Sequence, residues 1–177
     1  MNDFVGFPKM ARLHRDIMIT EKIDGTNAQV VVSDDCTSIR VASRTRWITP
    51  EDDNFGFARW AVDHTAELLT LGPGRHFGEW WGKGIQRGYG LAEKRFSLFN
   101  AHRWDPATLP ECINVVPVLY HGIFDMAQVS ATMERLRTFG SVASPGFMEP
   151  EGIILYHLAG NVGFKKTLEG DEGKFNG

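Results

Sequence analysis

Glu21-Lys22-Ile23-Asp24-Gly25-Thr26-Asn27 is the stretch on which the reading of this chain turns. Ile17 to Glu21 before it and Ala28 to Val32 after it are rich in apolar and β-branched residues, and Asp24-Gly25-Thr26 between them has turn chemistry. The pattern predicts two strands joined by that turn, with Lys22 at a strand end facing a loop. A rigid frame suits a reactive side chain there. Taken alone, Lys-x-Asp-Gly reads as a solvated lysine before an Asp-Gly turn. Here Ser43-Arg44-Thr45, Phe77-Gly78-Glu79-Trp80-Trp81-Gly82, Phe96 to Asn100, Glu151-Gly152-Ile153-Ile154 and Phe164-Lys165-Lys166 follow in order. Independent coincidences in one order weigh more than any single motif.

Outward from that stretch, Ile39 to Ser43 continues the strand pattern. Phe57, Trp60, Ala61, His64 and Leu68 recur at helical spacing, with Asp53 or Asn54 as N-cap and Gly72-Pro73-Gly74 as the stop. The aromatics of this helix read as core and His64 as a helix-face histidine. His76 to Trp81 and Phe96 to Asn100 read as strands, separated by Gly82-Lys83-Gly84-Ile85-Gln86 and Gly88-Tyr89-Gly90. Val115 to Phe124 is a further strand region, and Ser130 to Phe139 a second helix. Ile153 to His157 and Val162 to Lys166 form a hairpin around Ala159-Gly160-Asn161. The fold class is α+β, antiparallel-rich with few helices.

At 177 residues, 42% hydrophobic and 23% charged, the chain fits one soluble domain, taken as 1–177. Cys36 and Cys112 show no ligand spacing, so neither a zinc site nor a disulfide framework is expected. Asp3, Lys9, Arg12 and Arg15 exclude a signal peptide at the N-terminus, and no stretch approaches membrane-spanning length. A cytoplasmic location and no membrane partner are expected. The net charge of −3 argues against a uniformly basic nucleic-acid-binding surface, though not against a local groove. Arg40, Arg44 and Arg46 cluster in sequence, as do Lys83, Arg87, Lys94, Arg95 and Arg103; most read as solubilising charges.

The residue types suit a lysine that attacks phosphorus. An ammonium cannot attack, so it needs burial or neighbouring cations to lose its proton. Lys165 and Lys166, with Arg44, supply a positive field that also neutralises a triphosphate. Glu151 and Asp24 are the candidate carboxylates for a divalent metal, Glu79 the acceptor for ribose hydroxyls, and Phe99 or Phe96 the flat platform for a base. Each has a plainer reading: edge-strand charge for Glu79, core packing for the phenylalanines, a turn before a strand for Glu151-Gly152, a solvated strand end for Lys165-Lys166.

The ordered set resembles the covalent nucleotidyltransferase superfamily, and within it the RNA ligase 2-like, ATP-dependent polynucleotide ligases, over about Ile17 to Leu168. The resemblance implies an antiparallel-rich, ATP-grasp-like ligase adenylation domain. It implies that Lys22 is the adenylated nucleophile, with Asp24 of the same motif and Lys165 or Lys166 as further catalytic residues. By the same resemblance Glu21 and Ile23 lie beside the adenine pocket, Asn27 and Arg44 address phosphates, Glu79 binds ribose, and Phe99 stacks on the base. Glu151 and Asp24 would hold Mg2+ or Mn2+, and Lys165 would contact phosphate. Gly84-Ile85-Gln86 leans toward the RNA ligase 2 branch. The family's last motif reads Lys-x-Lys, whereas Lys165-Lys166-Thr167 stands here, so the second lysine is absent or shifted to Lys166.

The implied reaction uses ATP to join the 5′-phosphate and 3′-hydroxyl ends of RNA, or of nicked RNA/DNA, through a lysine-AMP and an adenylated 5′ end. Two features of the chain's length enter as expectations. There is little room before Lys22 for the module that NAD-dependent ligases carry, which favours ATP. The chain ends at Gly177, so no OB or other C-terminal domain is expected, and a separate helper protein is a candidate to replace it. The alternatives are a minimal DNA ligase, a nucleotidyltransferase for another acceptor, and a noncatalytic module retaining the fold. Lys22 argues against the last.

Overall fold

The computed structural model describes residues 3–170; the first two and last seven positions of the expected domain lie outside the described residues. Among the described residues, ten strands and three α-helices make an α+β architecture with two sheets.

β1 (Asp16–Lys22) and β2 (Thr26–Val32) form as their apolar runs predict. They do not pair with each other. β1 lies in a four-stranded sheet of order β10-β9-β1-β8 and β2 in a six-stranded sheet of order β4-β3-β2-β5-β6-β7. The Asp24-Gly25 turn is therefore where the chain passes from one sheet to the other. The six-stranded sheet adds β3 (Ile39–Ala42), β4 (Trp47–Ile48), β5 (Gly74–Gly82), β6 (Lys94–Leu98) and β7 (Ile113–Val115). All its pairs are antiparallel except β6 with β7. The four-stranded sheet adds β8 (Val118–Ile123), β9 (Gly152–His157) and β10 (Val162–Thr167), all antiparallel, and β9–β10 is the expected hairpin.

Each sheet is covered on one face by helices. Ala28, Val30, Val32, Trp80, Phe96 and Leu98 of the six-stranded sheet pack with Phe57, Ala58, Ala61 and Leu68 of α1 (Phe57–Asp63) and α2 (Thr65–Leu69). Ile17, Ile19, Ile153 and Leu155 of the other sheet pack on Val129, Met133 and Leu136 of α3 (Met126–Phe139). Strand alternation turns the opposite faces of both sheets toward a shared cleft.

Three details differ from the sequence reading. The helix expected through Leu68 is interrupted at His64, whose ring Nδ1 donates to the Trp60 carbonyl at 2.8 Å and whose ring stacks on the Trp60 indole. The residue before α1 is Gly56, in the left-handed conformation; Asp53 acts from further back, its carboxylate accepting from the Ala58 and Arg59 amides at 2.7 and 3.2 Å. The region Val115–Phe124 divides at Val116-Pro117, one part joining each sheet. Proline has no N–H for a ladder, which explains the break.

Candidate active site

A cleft of about 800 Å³ lies between the two sheets, lined from one side by Met18, Thr20, Lys22, Ile154, Tyr156 and Lys165, and from the other by Asn27, Arg44, Glu79 and Phe99. Glu21, Ile23 and Asp24 also border it. The period-2 alternation of β1 puts Met18, Thr20 and Lys22 on the cleft face and sends Ile17 and Ile19 to the α3 core.

Lys22 sits at the last position of β1, opposite Gly152 of β9, and its Nζ donates to the Glu151 carboxylate in an ion pair. Both side chains are mostly withdrawn from water. Gly152 is dictated by crowding: its φ is 155°, and a Cβ would collide with the Lys166 carbonyl of β10. A glycine here lets the β9–β10 hairpin close directly behind the Lys22–Glu151 pair.

The turn after Lys22 is held by three side chains. The Gly25 amide donates to Glu79 Oε1 at 3.1 Å, the Asp24 amide to the Tyr89 hydroxyl at 2.9 Å, and Arg87 Nε donates to Asp24 Oδ2 at 3.1 Å. Gly25 has no room for a side chain, since a Cβ would lie 2.5 Å from the Trp80 carbonyl and 2.7 Å from Trp81 Cβ. The lysine is thereby presented from a turn that both sheets fix.

Glu79 is buried, and burial pushes its carboxyl up to about 7, against the opposing pull of Lys22 and the Gly25 amide. Asn27 Nδ2 donates to its other oxygen at 3.4 Å. Glu21 is buried as well, and burial raises its carboxyl although Ser141 Oγ and the amides of Val142 and Ala143 donate to it at 2.6–2.9 Å. Its carboxylate thus ties β1 to the segment after α3, while the residue borders the cleft. Ile23 contributes an apolar wall continuous with Trp81, Tyr89 and Val116.

Phe96 and Phe99, the two rings the residue types offer as a base platform, part company, and Phe99, which the resemblance favours, is the one at the cleft. Phe96 is fully buried among Phe57 and Trp60, with ring centroids at 5.2 and 5.8 Å, so the base-platform reading fails for it. Phe99 is 40% exposed and lines the cleft. Lys165 and Lys166 part in the same way. Lys165 pairs with Ile154 on the cleft face, whereas Lys166 pairs with Ile153 on the α3 face and borders a groove with Met133, Glu134 and Arg137. The expectation that Lys166 joins the site is corrected by alternation along β10. None of the ion pairs among the described residues involves Arg44 or Lys165, which leaves two cations at the cleft for an anion.

Two contributors escaped the sequence reading. Arg87, in a cluster of cations most of which read as solubilising charges, pairs with Asp24 and donates from Nη1 to the Glu149 carbonyl at 3.0 Å. Tyr89, which the sequence pattern sets in a glycine-rich connector, is buried at positive φ, edge-on to Trp81 and against Phe147. Burial and the nearby carboxylates keep its hydroxyl protonated well above the usual tyrosine range. The alternation of β1 and β9 was the signal that could have found Met18, Thr20, Ile154 and Tyr156; for Arg87 and Tyr89, distant in sequence, there was none. Among the described residues no group of three or more His, Cys, Asp or Glu is arranged to hold a metal ion, and no helix is long and apolar enough to cross a membrane.

Comparison with known proteins places this arrangement. A protein-family model for RNA ligase matches residues 15–168. Among solved structures, a mutant RNA ligase of Naegleria gruberi with ATP and Mn superposes with a TM-score of 0.60 at 20% identity, over 87% of this chain and 49% of that one. A second mutant form of Naegleria gruberi RNA ligase, without ligand, gives 0.63 at 19%, over 94% and 57%; the RNA ligase of that organism with PPi gives 0.60 at 19%, also over 94% and 57%. The chain thus spans about half the length of the solved structures it matches, and at such identities the likeness establishes the fold. No curated protein matches. The family match begins just before β1 and ends just after β10, so it takes in both sheets and the whole cleft between them: this chain belongs to the RNA ligase family.

Proposed function

We propose that this chain is the adenylation domain of an ATP-dependent RNA ligase, with Lys22 as nucleophile. The observation that carries the reading is the convergence in one cleft of Lys22, two cations outside the ion pairs of the described residues (Arg44 and Lys165), the buried carboxyl Glu79 and the exposed ring of Phe99. Phe99 stacks on adenine beside Ile23, and Glu79 accepts from ribose hydroxyls. Lys165, Arg44 and Asn27 hold phosphates. The Lys22 ammonium first loses a proton to solvent; its Nζ then attacks the α-phosphorus, and an N–P bond forms as the bond to pyrophosphate breaks. A 5′-phosphate oxygen then displaces the lysine and takes the AMP. Finally the 3′-hydroxyl attacks the activated phosphate, closing the strand and releasing AMP.

A divalent ion, Mg2+ or Mn2+, would supply charge neutralisation at the phosphates. One carboxylate beside a phosphate site fits such an ion, which commonly completes its shell with waters and substrate oxygens. Glu151 is the residue we assign to it. Asp24 is engaged by Arg87 and would have to leave that pair to serve as a second ligand; it holds the Lys22 turn in place otherwise. The substrate is RNA, or nicked RNA/DNA, with 5′-phosphate and 3′-hydroxyl ends; the setting is RNA repair in the cytoplasm. Residues 1–177 act as one adenylation domain, with sealing assisted by a helper protein.

The test is incubation with α-labelled ATP and a divalent cation. A covalent AMP adduct that Lys22→Ala lacks is the expected result. An adduct on a folded Lys22→Ala variant removes the assignment, and no adduct with any nucleotide or metal makes the chain a binding module.

A further inference from the structure

The six-stranded sheet has an open face that runs out of the cleft. Cross-strand pairing sets Trp47, Ala42, Gln29 and Phe77 in one row, because Ala42 lies opposite both Trp47 and Gln29, and Gln29 opposite Phe77. The Phe99 amide donates to the Phe77 carbonyl at 3.0 Å, which extends the row to Phe99 at the cleft wall. Residues directly opposite in an antiparallel pair share a face. Trp47 and Phe77 are 42% and 53% exposed, although their strands have a complete apolar core on the other side.

The next row, two residues along each strand and away from the cleft, is Arg40, Val31 and Arg75. The two guanidiniums lie 3.8 and 5.9 Å from the Trp47 ring centroid. None of the ion pairs among the described residues takes up Arg40 or Arg75. Of the two carboxylates in the β2–β3 turn, Asp34 and Asp35, Asp35 is folded back onto Ser33 and Thr37. In a chain of net charge −3, a face with two exposed aromatic rings beside two arginines outside the ion pairs of the described residues is a concentration of one chemistry.

We propose that this face is a track for an unpaired RNA strand, on which Phe77 and Trp47 stack bases while Arg40 and Arg75 hold the backbone. The proposal rests on the reading of this chain as an RNA ligase, since it concerns the strand that must reach Lys22. Aromatic stacking requires base faces that a duplex hides, so the track selects single strands or frayed ends. Dimensions agree. Adjacent strands lie about 4.8 Å apart, which puts Phe77 one step, and Trp47 about 14 Å further, from the Phe99 wall. The arginine row is offset by about 7 Å, room for a phosphate backbone beside stacked bases. Arg44, which lines the cleft, follows β3 in sequence and continues the positive charge toward Lys22.

The test is anisotropy with a short, fluorescein-labelled, 5′-phosphorylated oligoribonucleotide that cannot pair, against the full chain, with a blunt duplex of equal length as comparison. Trp47→Ala and Phe77→Ala each lower affinity for the single strand by roughly 5- to 150-fold. Arg40→Ala and Arg75→Ala each reduce the slope of log affinity against log salt by about 0.7. Adenylation of Lys22 and the melting temperature stay at the wild-type level in all four, and Phe77→Tyr and Trp47→Phe keep most of the affinity. Wild-type preference for the blunt duplex, no measurable single-strand binding at low salt, or ring variants that bind like wild type would each overturn the track and leave this face to solvent or a protein partner. If no Lys22 adduct forms while the ring variants still lose single-strand affinity, the track stands and the ligase reading falls. If the adduct forms and RNA binding is indifferent to the rings, the reverse holds.

Discussion

The two walls of the cleft are built on different principles. The wall from β1, β9 and β10 carries its functional atoms on flexible, charged side chains: Lys22 in an ion pair with Glu151, and Lys165 outside the ion pairs of the described residues. The opposite wall, apart from Arg44 beyond β3, carries them on buried or ring-based groups of β2, β5 and the end of β6: Glu79 between the Gly25 amide and Asn27, and Phe99 at the end of the Phe77 row. Chemistry that forms and breaks bonds to one lysine benefits from partners that exchange. Recognition of a base and a sugar benefits from groups whose positions are fixed before the ligand arrives. Because the Lys22-to-Asn27 stretch crosses between the sheets, one short motif contributes to both walls, and the spacing between them is set by the Asp24-Gly25 turn.

The comparison breaks most sharply at the two phenylalanines of the recognition wall. Phe96→Ala empties a fully buried site between Phe57 and Trp60 and is expected to destabilise the fold by about 3–5 kcal/mol. Phe99→Ala removes a 40% exposed ring, so the denaturation midpoint should hold nearly steady while ATP affinity falls roughly tenfold. Urea unfolding beside nucleotide titration separates the two. Equal destabilisation would make Phe99 a core residue and leave the wall without a platform.

Glu79 gives the next largest effect, as a dependence on pH. Its carboxyl is raised to about 7 in the fold from an ordinary value of 4.5, so the folded state holds the proton more tightly than the unfolded one. Stability from this group is complete below pH 4.5 and is lost as pH climbs toward 7, by up to about 3 kcal/mol. Glu79→Gln should flatten that slope, measured as the difference in unfolding free energy between the two proteins across this range. The ionised form is the better acceptor for ribose hydroxyls, so ATP affinity should rise as pH passes 7 in the wild type only. A wild-type profile parallel to the variant's would mean that water reaches Glu79 and the wall is not dry.

Tyr89→Phe sharpens the comparison at the turn joining the walls. It removes the hydroxyl that accepts from the Asp24 amide while keeping the ring against Trp81 and Phe147. A buried donor left without a partner costs about 1–3 kcal/mol, and the lower half of that range is expected because the amide lies at the cleft edge. Adenylation should slow more than ATP binding weakens, since the lysine is misaimed while the base platform is intact. Equal loss in both would assign Tyr89 to the fold alone.

Sequence legibility followed the same division. Strand identities were readable because alternation and turn residues are local: Ile17 to Glu21, Ala28 to Val32 and the β9–β10 hairpin stand as expected. Local pattern says nothing of which sheet a strand joins, so the parting of β1 from β2 and the division of Val115–Phe124 were hidden. The same limit hid Arg87 and Tyr89. They reach Asp24 across more than sixty residues of chain, through a connector whose glycines looked like mere spacing.

The smallest expected effect lies on the chemical wall, at the paired lysines. Lys165 and Lys166 are chemically alike and adjacent, and the family's usual Lys-x-Lys places its two lysines on one strand face. Here consecutive positions on β10 must point oppositely, so only Lys165 looks into the cleft. Lys165→Ala should slow adenylation roughly 10- to 100-fold, the loss of one cation from a phosphate site. Lys166→Ala should change it less than twofold, because its ammonium is directed to the α3 groove beside Glu134 and Arg137. A comparable loss for Lys166 would require β10 to shift its register by one residue when ATP binds, exchanging the faces of every side chain on it. That shift would bring Phe164 into the cleft, so its ring would become a second sensor of the same event.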